Sequence, residues 1–250
     1  MQVYLTLLRR ELGSFLVSWI GYVTIAGAAF LTGLSFVVLL VKLRLETTAM
    51  PVTEMFYATP FFWLILLLGT PLITMRLFAQ EKFSGTFETL MTTAVGDWQV
   101  VLGKFSAALL AYMLMWLPLL GCIVVVRRYV NDPAAVDPRT VAVMFVGILL
   151  LGSMFVAIGC FGSALTRNQI VAAMVSFAIG TGLFVLSFLG DRMGLQTGWT
   201  AQVFAYLALV DQMQDFAKGI IDTRPVVLCT TATVFFLFLT VRVIESRRWR

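Results

Sequence analysis

The side chains best suited to chemistry are concentrated in one polar stretch, residues 76–104, which lies between two long apolar runs. It contains the charged turn Gln80-Glu81-Lys82, followed by Ser84-Gly85 and by a short segment whose apolar residues recur at helical spacing. An apolar helical face edged by charges is suited to binding another protein through packing and charge pairs. The stretch therefore predicts a docking element.

Catalytic and metal-binding chemistry is poorly represented in the sequence. Histidine, the commonest general base and transition-metal ligand, is absent. Cys122, Cys160 and Cys229 lie singly in apolar runs without CxxC spacing, which favours small buried residues over a disulfide or a metal site. Neither GxxxxGKS nor GxxxxGKT occurs, so the sequence contains no P-loop for ATP. We therefore expect no catalytic residue, no metal site and no cofactor bound by this chain.

The composition is typical of a membrane protein. Hydrophobic residues make up 60% of the 250 residues and charged residues 12%. Soluble domains carry about 45–50% apolar and about 25% charged residues. The net charge of +5 can be assigned to positions flanking the membrane, so we expect a lipid bilayer and no nucleic acid as partner.

Six apolar runs are long enough to cross a bilayer, which takes about 20 residues. They cover about 15–41, 55–75, 105–126, 140–166, 170–190 and 225–241 of a single membrane domain, residues 1–250. None of these runs contains Asp, Glu, Lys or Arg, the groups that proton- and ion-coupled pumps usually need in the membrane. This argues against a stand-alone proton-coupled transporter, although a carrier that uses backbone carbonyls at broken helices stays open.

The segments outside the runs predict the topology. Residues 1–14 are amphipathic, as in an interfacial helix or the basic flank of a signal anchor, and residues 191–224 contain a second amphipathic segment. Six crossings place both termini on the same side. The basic C-terminal tail and Arg9-Arg10 favour the cytoplasm for that side.

Residues 76–90, RLFAQEKFSGTFETL, resemble the signature of type 2 ABC transporter permeases: an acidic then a basic residue, two spacers, Gly-Thr, then Glu-x-Leu. Gly103-Lys104 before the third run is also similar to that family. Residues 216–222 and 239–248 look most like the branch associated with bacterial gliding motility and related exporters. One departure is Gln80, where an acidic residue often precedes the glutamate.

The resemblance implies an all-α membrane protein of six transmembrane helices. It also implies an N-terminal interfacial helix, a cytoplasmic coupling helix between the second and third spans, and an external amphipathic segment between the fifth and sixth. Such a chain would be the permease subunit of an ATP-binding cassette exporter in the bacterial inner membrane. A separate ABC ATPase subunit would use ATP and Mg, and a second permease subunit, an identical copy or a sibling, would complete the pathway.

The family's docking role carries over to eight matching residues. The apolar members would fill a groove on the ATPase, the charged members would set register and orientation, and the glycine would allow a tight turn. The eight residues are Glu81, Lys82, Gly85, Thr86, Phe87, Glu88, Leu90 and Met91.

Three alternatives stay open from the sequence. The segment after Gly85 could lie on lipid without a protein partner. The chain could anchor or assemble a machinery driven by an ABC ATPase and move no substrate. It could also be a stand-alone channel or carrier.

Overall fold

The computed structural model describes residues 2–45, 52–57, 59–87, 96–129, 137–192, 206 and 208–248. These residues form helices and connecting turns, and no strand occurs among them. In chain order the helices are α1 (Gln2–Leu16), α2 (Trp19–Leu45), α3 (Val52–Tyr57), α4 (Pro60–Thr74), α5 (Ala79–Ser84), α6 (Asp97–Met115), α7 (Leu117–Tyr129), α8 (Pro138–Leu165), α9 (Gln169–Arg192), α10 (Leu209–Ala217) and α11 (Thr223–Arg248).

Six helical stretches within the described ranges are long and apolar enough to cross a membrane. The protein is therefore an all-α membrane protein with six transmembrane helices, as the sequence predicts. The stretches are Trp19–Lys42, Pro60–Ser84, Asp97–Arg128, Pro138–Leu165, Gln169–Ser187 and Thr223–Ser246.

Two of the predicted apolar runs differ from the observed helices. The run 55–75 is divided, because Tyr57 ends α3 and Pro60 begins α4 at the first helical position, where its missing N–H costs nothing. The third span begins at Asp97, ahead of the predicted Phe105, so Lys104 lies inside α6. The polar stretch 76–104 is consequently shorter than expected.

The contacts among the helices define two ends of the bundle. At the end that we call the lower end, the turn between α4 and α5 (residues 75–78) packs against the C-terminal end of α8. Helix α1 is a separate amphipathic helix that packs along α6, where Tyr4 Oη lies 2.6 Å from Ser106 Oγ. The N-terminal helix is therefore joined to the start of the third span.

At the opposite, upper end, the short helices α3 and α10 pack against the first half of α8. Tyr57 Oη donates to the Met144 carbonyl over 2.9 Å, and Thr53 Oγ1 donates to the Ala217 carbonyl over 2.7 Å. The helical spacing of this amphipathic segment places Gln212 on its polar face, but the side chain is buried, with its Nε2 2.8 Å from the Tyr206 carbonyl oxygen. Tertiary packing therefore covers α10 at Gln212, while Asp211 on the same helix is exposed.

Small residues on α8 allow its neighbours to approach closely. A Cβ added at Gly152 would lie 2.0 Å from Tyr112, and one at Gly159 would lie 2.1 Å from Thr74 Oγ1. Such glycines let helices associate in a bilayer, where no hydrophobic force drives them together. Helix α8 is therefore the central helix against which α4 and α6 are positioned.

Candidate functional site

Four charged side chains from three helices meet at the lower end, and we call them the charge quartet: Arg10, Glu11, Glu81 and Lys104. Lys104 Nζ lies 3.0 Å from Glu11 Oε1 and 2.9 Å from Glu81 Oε1. Arg10 Nη2 lies 2.8 Å and 3.0 Å from the same two oxygens. The quartet therefore ties α1, α5 and α6 together through alternating charges.

The ion pairs of Lys104 are largely shielded from water, so losing one of them would cost more stability than losing an exposed pair. The Lys104 side chain is fully buried, and its ammonium also lies 5.5 Å from the centre of the Phe78 ring. A buried cation is tolerated only when carboxylates and further polar or aromatic contacts surround it. The two carboxylates and the Phe78 ring therefore compensate the charge of Lys104 at this position.

The pKa values in α1 reflect the same arrangement. Burial raises the pKa of Glu11, but the charge of Lys104 and the hydrogen bonds from Arg10 and Lys104 outweigh it, so the pKa lies below its usual range. The hydrogen bond to Glu11 and the nearby carboxylates raise the pKa of Arg10. Both shifts favour the charged forms, so the ion pairs persist at neutral pH.

A second set of contacts fixes the segment from Ala79 to Phe87 on α8. Lys82 is buried, donates through Nζ to the Ala164 carbonyl, and lies 5.2 Å from the centre of the Phe87 ring. Ser163 Oγ accepts from the backbone N–H groups of Phe78 (3.0 Å) and Ala79 (3.1 Å), and donates to the Met75 carbonyl over 3.1 Å. One hydroxyl thereby satisfies three backbone groups of the turn that leads into α5.

The end of α5 turns sharply at Gly85, whose φ of 75° and ψ of −5° lie in the left-handed region. A side chain at this position would be strained, so glycine is required by the backbone conformation. Ser84 Oγ and Thr86 Oγ1, 2.8 Å apart, lie on either side of the turn and are exposed. Beyond the turn, Phe87 lies back against Lys82 and is buried.

An open cavity of about 590 Å³ adjoins the quartet, between α1 and the α4–α5 turn. Its lining combines charged and hydroxyl side chains with apolar ones. The lining residues are Arg10, Glu11, Ser14, Phe15, Ile73, Arg76, Leu77, Gln80, Glu81, Ser84, Thr86 and Lys104. The described residues contain no group of three or more His, Cys, Asp or Glu that could bind a metal.

The structure describes five of the eight predicted docking residues. Glu81 and Lys82 are directed into the protein, and Phe87 is 8% exposed, whereas Gly85 and Thr86 are exposed. Glu88, Leu90 and Met91 lie outside the described residues. The docking role of the whole set stays a prediction.

Sequence reasoning did not identify the partners of Glu81 or the role of Ser163. Arg10, Glu11 and Lys104 are separated from Glu81 by long stretches of sequence, and no local pattern relates them. The sequence does carry a signal for the pairing of Lys104, because a lysine within an apolar helix needs an acidic partner. Residues 76–90 contain few acidic residues that could serve as that partner. Phe83 is 80% exposed on α5, and no sequence pattern marks it as exposed.

Comparison with known protein families gives one match. The family model described as "ABC-2 family transporter protein" matches residues 41–241, well over half of the chain. A comparison with curated proteins finds no match.

Proposed function

Because the chain belongs to the ABC-2 family of transporter proteins, we propose that it is the membrane-spanning permease subunit of an ABC exporter, driven by a separate ATPase subunit. The protein is a multi-pass membrane protein. Its proposed location is the bacterial inner membrane with both termini in the cytoplasm, which places the lower end on the cytoplasmic side. The ATPase binds and hydrolyses ATP with Mg, and a second permease subunit completes the pathway.

The observation that supports this proposal most is the attachment of residues 79–87 to three separate helices. Glu81 connects the segment to α1 and α6 through the quartet, and Lys82 connects it to α8. A force applied to the segment is transmitted through buried, charge-assisted contacts rather than absorbed by a loose loop. This is what an element that couples ATP hydrolysis to transmembrane helix movement requires.

The contacts divide the proposed docking residues into two roles. Glu81, Lys82 and Phe87 hold the segment on the bundle, while Gly85 and Thr86 belong to its exposed side. We propose that Phe83 adds an apolar anchor on that side, since exposed aromatic residues often become hot spots in interfaces. Glu88, Leu90 and Met91 continue the docking surface in this proposal.

Reconstitution tests the proposal. The full chain is placed in vesicles with its candidate ATPase subunit, and ATP hydrolysis is compared with that of the ATPase alone. We expect the complex to hydrolyse ATP at a rate that changes when exported cargo is present. Conductance or flux through the chain without ATPase and nucleotide would instead favour a stand-alone channel or carrier.

A second candidate function is an anchoring or assembly component that an ABC ATPase drives without moving a substrate. The similarity of residues 216–222 and 239–248 to the gliding-motility branch favours it. The two functions differ in the vesicle experiment, because hydrolysis that responds to no candidate cargo would support the assembly role. Assignment to that branch stays a prediction.

A further inference from the structure

We propose that the cavity between α1 and the α4–α5 turn binds the phosphate-bearing headgroup of an anionic phospholipid. The proposal concerns a ligand of the permease chain itself and does not depend on the ATPase. The observations behind it are an uncompensated arginine, a second arginine with free donors, and an apolar wall beside them.

Arg76 is the uncompensated cation. Its Nε donates to Gln80 Oε1 over 2.8 Å, and no carboxylate of the described residues lies within ion-pair distance of its guanidinium. Its terminal nitrogens are therefore left as donors on a half-buried side chain that lines the cavity. A guanidinium fork in this state matches two oxygens of a phosphate.

Arg10 lines the same cavity and has donors to spare. Only its Nη2 is used in the quartet, and its side chain is 53% exposed. The lining contains three cations, Arg10, Arg76 and Lys104, against the two carboxylates Glu11 and Glu81, so its formal charge is 3 − 2 = +1. The exposed hydroxyls of Ser14, Ser84 and Thr86 add further hydrogen-bonding groups. An anion is favoured over a cation or a neutral polar molecule.

The apolar wall favours a lipid over a free phosphate ester. Phe15, Ile73 and Leu77 face the cavity beside the polar groups. Because the cavity adjoins the ends of the spans α4 and α6, a bound headgroup would lie at the membrane–water boundary with its acyl chains along the apolar surface. Its volume of about 590 Å³ is within the usual range of ligand sites, about 300–1,000 Å³. Basic pockets between transmembrane helices bind anionic headgroups by the same chemistry.

Native mass spectrometry of the full chain in detergent tests the site, with phosphatidylglycerol and phosphatidylcholine of identical acyl chains as probes. We expect preferential retention of phosphatidylglycerol, and an affinity about five- to tenfold lower in Arg76→Gln, which loses a charge-assisted hydrogen-bond donor. Arg167→Gln is the matched control, since Arg167 is exposed in the α8–α9 turn and does not line the cavity. Arg76→Lys keeps the charge but loses the forked guanidinium, so its affinity for phosphatidylglycerol should lie between those of wild type and Arg76→Gln. This graded loss would distinguish a binding effect from a folding defect.

Each other outcome overturns the proposal. Equal retention of the two lipids, or equal loss in Arg76→Gln and Arg167→Gln, would mean that the cavity has no headgroup selectivity. If water-soluble glycerol phosphate at equal concentration displaced phosphatidylglycerol, the ligand would be a free phosphate ester rather than a lipid. Unchanged lipid binding together with loss of the ATPase in Arg76→Gln would identify Arg76 as a contact for the protein partner.

Discussion

Lys104 carries its charge in a fully buried position because two carboxylates and the Phe78 ring surround its ammonium. Each carboxylate comes from a different helix, so the lysine is the centre of the charge quartet. Glu81 Oε2 is buried without a hydrogen-bond partner among the described residues. The charge of Glu81 is therefore compensated mainly through Oε1, which lies 2.9 Å from Lys104 Nζ. The folded chain is therefore stable at this site only when all four members of the charge quartet are present.

Replacing Lys104 by methionine should destabilise the chain by about 2 kcal/mol or more, since removal of one partner leaves buried charges uncompensated. The measurement is the thermal unfolding midpoint of the purified chain in detergent at neutral pH. Lys42→Met is the control, because Lys42 is exposed near the end of α2 and its loss should change little. Equal effects of the two substitutions would contradict the structural role of the quartet.

Glu11 makes the stability depend on pH. Its pKa is lower in the folded chain than its ordinary value of 4.5, so its contribution is fully present above about 4.5 and is lost as pH falls through the lowered pKa. Unfolding midpoints of wild type and Glu11→Gln, measured from pH 7 down to pH 3, should converge as the pH falls. A difference between the two proteins that is constant over this range would show that the Glu11 carboxylate is not stabilised by Lys104 and Arg10.

Among the elements, the α4–α5 turn determines whether α5 is held on the bundle. Ser163 on α8 is the only described side chain that accepts from the Phe78 and Ala79 amides, and Lys82 adds a contact one residue further along α8. The segment is thus attached near both of its ends, at the turn before α5 and at the Lys82–Phe87 contact.

Ser163→Ala should loosen this turn without unfolding the bundle. The amides of Phe78 and Ala79 lose their acceptor, and we expect their hydrogen exchange to accelerate about tenfold, in line with the loss of one buried hydrogen bond each. Ser187→Ala is the matched control, because the Ser187 hydroxyl donates to the Phe184 carbonyl of its own helix. Unchanged exchange at both amides in Ser163→Ala would show that the turn is held by other contacts.

The close approach of α4 and α8 depends on Gly159. A Cβ there would lie 2.1 Å from Thr74 Oγ1, so Gly159→Ala must displace a helix or a stiff side chain and should cost about 2 kcal/mol. Gly182→Ala, in α9, has no atom within 4 Å of the added Cβ and should be neutral or slightly stabilising. Unfolding midpoints of the two variants give the comparison, and a neutral Gly159→Ala would mean that the two helices are not in close contact.

At the scale of the whole molecule, the sequence predicts the fold well and the site only in part. Six spans follow from uninterrupted apolar runs, because a bilayer imposes a minimum length on each helix. The second run does contain a local signal for its division, because proline favours the first position of a helix and Pro60 begins α4, whereas the length of the run alone favours one continuous span. The pairing of Glu81 with Arg10 and Lys104 depends on tertiary structure, whereas the sequence alone favoured an outward role for Glu81.

The packing of the whole molecule suits the proposed docking segment, residues 79–87, to a mechanical role rather than a catalytic one. Residues 79–87 are attached to α1, α6 and α8, and those helices pack against most of the bundle. Movement of the segment would therefore shift several spans together, since packed helices move as rigid bodies. In the proposed exporter the chemistry of ATP hydrolysis belongs to the partner, and this chain converts the partner's movement into rearrangement of the spans.

Above all, we propose that residues 81–91 contain the surface that binds an ABC ATPase subunit. The most direct test is co-purification of the full chain with its candidate ATPase, in wild type, Glu88→Arg and Leu90→Asp, with Arg128→Glu, an exposed position near the end of α7, as the control. We predict that wild type and the control retain the ATPase and that the other two variants lose it while still inserting into the membrane. Absence of the ATPase from the wild-type preparation, or its full retention by both docking variants, would contradict the claim.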